Sequence, residues 1–145
     1  IVRAAATASR VVGAVNSPSP PYGRDPQPMS GLAAWVVEPL RQWDGLWYVL
    51  IAQTGYAGGQ ESAKAAFWPL LPWLMDVGAR LTGWRPETVG YLVANVSFAV
   101  ALVLLHRLLR LDFSDRIARR TLWAVALFPT AFFFQAVYTE SLFFV

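Results

Sequence analysis

Residues 88–106 read TVGYLVANVSFAVALVLLH, with no Asp, Glu, Lys or Arg among them. A run of about 19 such residues is long enough to cross a hydrocarbon core about 30 Å thick. Directly after it comes RLLRLDFSDRIARR (107–120), with five arginines against two aspartates. Basic residues beside a span stay on the cytoplasmic side. The connector 107–120 is therefore expected inside, and residues 17–87 outside. A second apolar stretch runs from about Thr121 to Val137 and contains Pro129. At about 1.5 Å of rise per residue, a straight helix from Arg120 returns the chain to the outer interface at YTES, 138–141. The expected fold class is all-α: a polytopic membrane helical bundle with amphipathic interfacial helices in the first outward loop.

Bulk composition agrees. Of 145 residues, 56% are hydrophobic and 14% charged, whereas soluble domains run about 45–50% apolar and about 25% charged. The absence of cysteine excludes disulfides and thiolate metal sites, and a single histidine argues against a histidine-rich metal site. The eleven arginines and one lysine are dispersed, unlike a nucleic-acid footprint, so no nucleic-acid partner is expected. The preference for Arg and Ala over Lys hints at a GC-rich bacterial gene.

Outward from the span, residues 1–16 are mildly apolar and too short to cross a bilayer, which suits the remnant of a first membrane helix. The segment 17–29 holds five of the ten prolines and reads as an extended, solvated connector. The chain opens on Ile1 and stops inside an apolar run. It reads as part of a longer protein, and alone it is expected to be inactive.

From about Gly31 to Thr54, apolar residues Val37, Leu40, Trp43, Trp47, Leu50 and Ile51 recur at helical intervals. Arg41, Asp44 and Tyr48 share an adjacent face of that helix, which is expected to lie along the interface with its tryptophans at headgroup depth. Residues 66–83 look like a second shallow helix, interrupted by Pro69 and Pro72, with Asp76 and Arg80 spaced to pair. Asn95 suits a hydrogen bond to a neighbouring helix, and His106 suits the inner interface. Thr139 can cap a fresh helix, with Glu140 against its positive end. This topology brings Asp44 and Glu140 to one side of the membrane.

Three stretches, RQWDGLWYVLIAQTGY (41–56), AFWPLLPWL (66–74) and LFPTAFFFQAVYTESLFF (127–144), together resemble the PIG-V-like family. That family includes the second mannosyltransferase of GPI-anchor synthesis and its bacterial relatives. Its members are multi-pass GT-C glycosyltransferases that use a polyprenyl-phosphate sugar. The resemblance covers roughly residues 38–145; the family's first membrane helix and its C-terminal helices have no counterpart here. It implies a membrane-embedded mannosyltransferase with Asp44 as general base, moving a sugar to a lipid-linked or cell-envelope acceptor. The implied place is a bacterial plasma membrane, with the active site facing outward. The implied partners are membrane lipid, a lipid-linked sugar donor and a glycan or glycolipid acceptor. No metal site is expected from the residues, although a divalent cation is compatible with the reaction.

The chemistry suits a carboxylate. An acceptor hydroxyl must lose its proton as it attacks the anomeric carbon, and negative charge nearby favours an oxocarbenium-like transition state. Arg41, Trp43, Trp47, Tyr48, Tyr138, Glu140 and Ser141 are the candidate substrate contacts. Each has a plainer role: an ion pair with Asp44 for Arg41, interfacial anchoring for Trp43 and Trp47, helix capping for Glu140. Tyr138 and Ser141 rest on the YTES match alone. Arg41, Lys64, Arg80 and Arg85 are the cations available to a donor phosphate. Two other readings remain, a polytopic transporter and a non-catalytic assembly protein. A transporter usually carries ionisable groups at mid-membrane depth, whereas these carboxylates lie at the rim.

Overall fold

A computed structural model describes residues 30–57 and 61–145. The expected helix remnant 1–16 and connector 17–29 lie outside the described residues. Those described form helices and turns and no strand. In chain order the helices are α1 (Gly31–Leu40), α2 (Asp44–Thr54), α3 (Glu61–Lys64), α4 (Leu70–Thr82), α5 (Pro86–Asp112) and α6 (Asp115–Ala126). A 3-10 turn (Pro129–Ala131), α7 (Phe132–Gln135) and α8 (Glu140–Phe144) complete the chain.

The axis of the fold is α5, and its ends follow from its sequence. Pro86 opens it, where a missing N–H costs nothing, and Glu87 and Arg110 complement the two ends of the helix dipole. Its 27 residues span about 40 Å, more than a hydrocarbon core. Among the described residues it is the one helix long and apolar enough to cross a membrane by itself.

Three expectations are corrected here. The segment 31–54 is two helices rather than one, because the chain turns at Arg41–Trp43. That turn resets the helical phase and separates Arg41 from the face shared by Asp44 and Tyr48. The region 107–120 is no extended loop. Helix continues on both sides of a corner at Phe113–Ser114, where Asp115 Oδ1 lies 3.2 Å from His106 Nε2 and Asp115 Oδ2 lies 3.1 Å from Arg119. The second stretch, 121–137, is not a straight span. It bends by 68° between α6 and the Pro129 turn, because Pro129 lacks an amide donor and holds Phe128 extended. A hollow of about 300 Å³ fills the bend, lined by Thr121, Val125, Phe128, Ala131 and Phe134 among others.

Pro69 and Pro72 do not break the 66–83 run; they start it. Pro69 is the cap position of α4 and Pro72 lies in its first turn, where no intrahelical donor is required. Arg80 Nε meets Asp76 Oδ1 at 2.8 Å, as their spacing suggests. Glycine lets α4 and the returning chain approach α5 closely. A Cβ on Gly78 would meet Val89 at 2.6 Å, and one on Gly90 would meet Val137 at 2.7 Å. Around these contacts Tyr48, Val49, Leu71, Met75 and Val137 form the buried core. Lower on α5, Asn95 donates to the Gln135 carbonyl at 3.1 Å, the expected interhelical bond, and Phe98 stacks on Phe134.

These contacts order the returning chain along α5. Gln135 meets Asn95, Val137 meets Gly90, and Arg41 meets Glu87. The WD turn and the YTES stretch therefore sit together at the N-terminal end of α5. The arginine-rich corner lies at the other end, about 24 Å from Gly90 to His106 at helical rise.

Candidate active site

The WD motif occupies a tight turn with an unusual backbone. Trp43 has φ 52° and ψ −117°, and Gly45 N–H donates to the Gln42 carbonyl at 3.0 Å. This is a type II′ turn, whose first central residue takes about +60° and −120° and is normally glycine. A tryptophan there costs on the order of 1–3 kcal/mol. The result is geometric: the indole of Trp43 is thrown outward, 63% exposed, and Asp44 becomes the exposed first residue of α2.

The returning chain grips this turn. Val137 N–H donates to the Leu40 carbonyl at 3.0 Å, and the Tyr138 hydroxyl donates to the Gln42 carbonyl at 3.1 Å. On the other side, the buried Arg41 guanidinium lies 3.1 Å from Glu87 and 3.5 Å from Glu38. Arg85 adds a second contact to the buried Glu87 at 3.0 Å. Arg41 is thus paired within the protein and does not carry the alternative ion pair with Asp44 raised by their spacing.

Glu140 is the first residue of α8 and is exposed. Partial burial of its carboxyl raises its pKa, opposed by its own amide; the negative charge of Asp44 raises it further. The two carboxylates are close enough to sense each other. Thr139 occupies the cap position but makes no side-chain cap bond; its hydroxyl is instead 3.0 Å from that of the buried Tyr48. Burial, then Glu140 and Asp44, push the Tyr48 phenol up, against the lowering effect of the Thr139 bond. The buried Ser141 hydroxyl donates to the Phe134 carbonyl. Trp47 is half-buried and stacked on Phe67 at 5.4 Å.

The candidate contacts thus divide. Asp44, Glu140 and Trp43 face outward. Arg41, Tyr48, Tyr138 and Ser141 are buried and have partners inside the protein. The cations expected to be available to a donor phosphate are reduced in the same way. Lys64 is buried, and its ammonium donates to Thr54 Oγ1 and to the carbonyls of Gly55 and Ala57 at 2.8–3.0 Å. Three donors on one point charge match three acceptors at the end of α2, a geometry the planar fork of arginine does not reproduce. Arg80 is held by Asp76. Among the described residues, no three His, Asp or Glu side chains converge as a metal ligand set.

A family model described as Mannosyltransferase (PIG-V) matches residues 14–145. The chain belongs to this mannosyltransferase family. No curated protein and no solved structure matches it. For a PIG-V mannosyltransferase, two residues of the site escape a reading by motif. Thr139 lies inside YTES, but its partnership with Tyr48 crosses 91 positions of sequence. Glu87, following Pro86, has every mark of an ordinary helix-opening acid, and nothing in its neighbourhood signals that it is buried against Arg41.

Proposed function

We propose that this PIG-V family chain carries the base-bearing end of a GT-C-type membrane mannosyltransferase whose donor is a polyprenyl-phosphate sugar. Asp44 takes the proton of an acceptor hydroxyl. The freed oxygen bonds to the anomeric carbon as the bond from that carbon to the phosphate oxygen breaks, and polyprenyl phosphate leaves. Glu140 lies within electrostatic reach of Asp44, and its charge would favour a sugar carbon becoming cationic. The acceptor is a lipid-linked or cell-envelope glycan, and the site faces outward from a bacterial plasma membrane. The single observation supporting this reading is the presentation of Asp44: an exposed carboxylate at the start of a helix, on a strained turn, within electrostatic reach of Glu140.

The test is transfer of labelled mannose from polyprenyl-phosphate mannose to membrane glycolipid by the full-length protein. Asp44→Asn keeps the shape and removes the proton acceptor, so turnover should fall about 10²–10⁴-fold with unchanged accumulation in the membrane. Near-normal transfer by that variant would remove Asp44 from the chemistry.

A further inference from the structure

Resting on the reading of Asp44 as the base, we propose that Tyr138 is a positioning residue whose phenol sets the backbone conformation of Trp43 and so the placement of Asp44. The angles φ and ψ of Trp43 are the rotations between two peptide groups, one bearing the Gln42 carbonyl and the other the Asp44 amide. The Tyr138 hydroxyl holds the first of these: it donates to the Gln42 carbonyl at 3.1 Å, the same carbonyl that accepts the Gly45 amide across the turn at 3.0 Å. The Asp44 peptide is fixed separately, as the start of α2. If Trp43 relaxed to a negative φ, the Gln42 peptide plane would rotate and its carbonyl would leave the phenol.

The phenol can act as a clamp because its own position is fixed elsewhere. Tyr138 is 5% exposed, and its ring stacks on Phe133 at 5.8 Å. The preceding residue, Val137, is wedged against Gly90 of α5 and hydrogen-bonded to Leu40. Burial, then Asp44 and Glu140, hold the phenol pKa up at about 12, so its proton is in place across the physiological range. The first residue of YTES is thereby linked to the WD motif across 96 positions of sequence, by a contact that needs no substrate.

The experiment compares Tyr138→Phe with wild type in the full-length protein, with polyprenyl-phosphate mannose as donor. Phenylalanine keeps the ring packing and removes only the hydroxyl. The expected result is a kcat about 10- to 100-fold lower, as a misplaced catalytic group gives, with the donor KM within about twofold. A raised KM at unchanged kcat would make Tyr138 a substrate contact and overturn the proposal; so would wild-type values of both. Should Tyr138→Phe fail to accumulate, the readout moves to a Trp43→Gly background, because glycine takes the turn without strain. Accumulation restored by Trp43→Gly supports the clamp, and accumulation still lost overturns it. Asp44→Asn is assayed in parallel. If it stays active, the base reading itself fails; if it is inactive while Tyr138→Phe has wild-type kcat and KM, only the clamp fails.

Discussion

Placing a second carboxylate near Asp44 has an energetic cost that shows at Glu140, whose carboxyl is held above its ordinary 4.5, first by partial burial and then by the Asp44 charge. The folded protein therefore binds a proton at Glu140 more readily than the unfolded chain does. Between the unfolded and folded pKa values, the native state carries more protons, so this residue's contribution to stability falls as pH rises through that window. Glu140→Gln removes the dependence. Its unfolding midpoint should change less between about pH 4 and pH 7 than that of wild type, while sugar transfer drops at unchanged membrane accumulation. A wild-type pH dependence in the Gln variant would place the source elsewhere. At this scale the sequence offered candidate side chains without showing which of them are already engaged inside the protein. Asp44 and Glu140 are exposed carboxylates, as their setting suggested. Arg41, Lys64 and Tyr138 look equally available on paper, yet each is spent on an internal partner contributed from another segment.

Between elements, the main unit is the junction of the WD turn with the start of α5. Arg41, at the end of α1, and Glu87, in the first turn of α5, are both buried. Removing one member of an isolated buried pair costs about 3–5 kcal/mol; here Glu38 beside Arg41 and Arg85 beside Glu87 remain as second partners and set that figure as the upper end. Glu87→Met should accordingly lower unfolding stability in detergent by up to that amount. The Arg41→Met/Glu87→Met double variant should lose less than the sum of the two single losses, because neither charge is then stranded. Additive losses would mean that the two side chains do not depend on each other. Helix existence and type were legible in the periodicity of 31–54, 66–83 and 88–106. The breaks were not, since a II′ turn led by tryptophan lacks the glycine that would announce it. Pro129 was in plain view within 121–137, yet a straight span was expected; the break and its 68° angle depend on α7 packing against α5 through Asn95 and Phe98.

For the molecule as a whole, the WD and YTES segments sit at one end of the 27-residue α5 and the arginine-rich corner at the other, about 40 Å away at helical rise. From the charge asymmetry we propose that the arginine corner faces the cytoplasm. Ala57→Cys and Ser114→Cys, both at exposed positions, test this with a membrane-impermeant thiol reagent on intact cells; the natural chain contributes no cysteine. Labelling is expected at 57 and not at 114, and the reverse pattern would put Asp44 on the inner face. Composition and periodicity by themselves determined the helical class and the uncharged, apolar stretch within α5, because these follow from local spacing and from the burial cost of charge. Tertiary structure alone decided that WD and YTES meet, that Trp43 is held in a conformation tryptophan avoids, and that Arg41 and Lys64 are enclosed. Each of these depends on contacts between distant segments, where a hydrogen bond or a missing Cβ on one determines the conformation of the other.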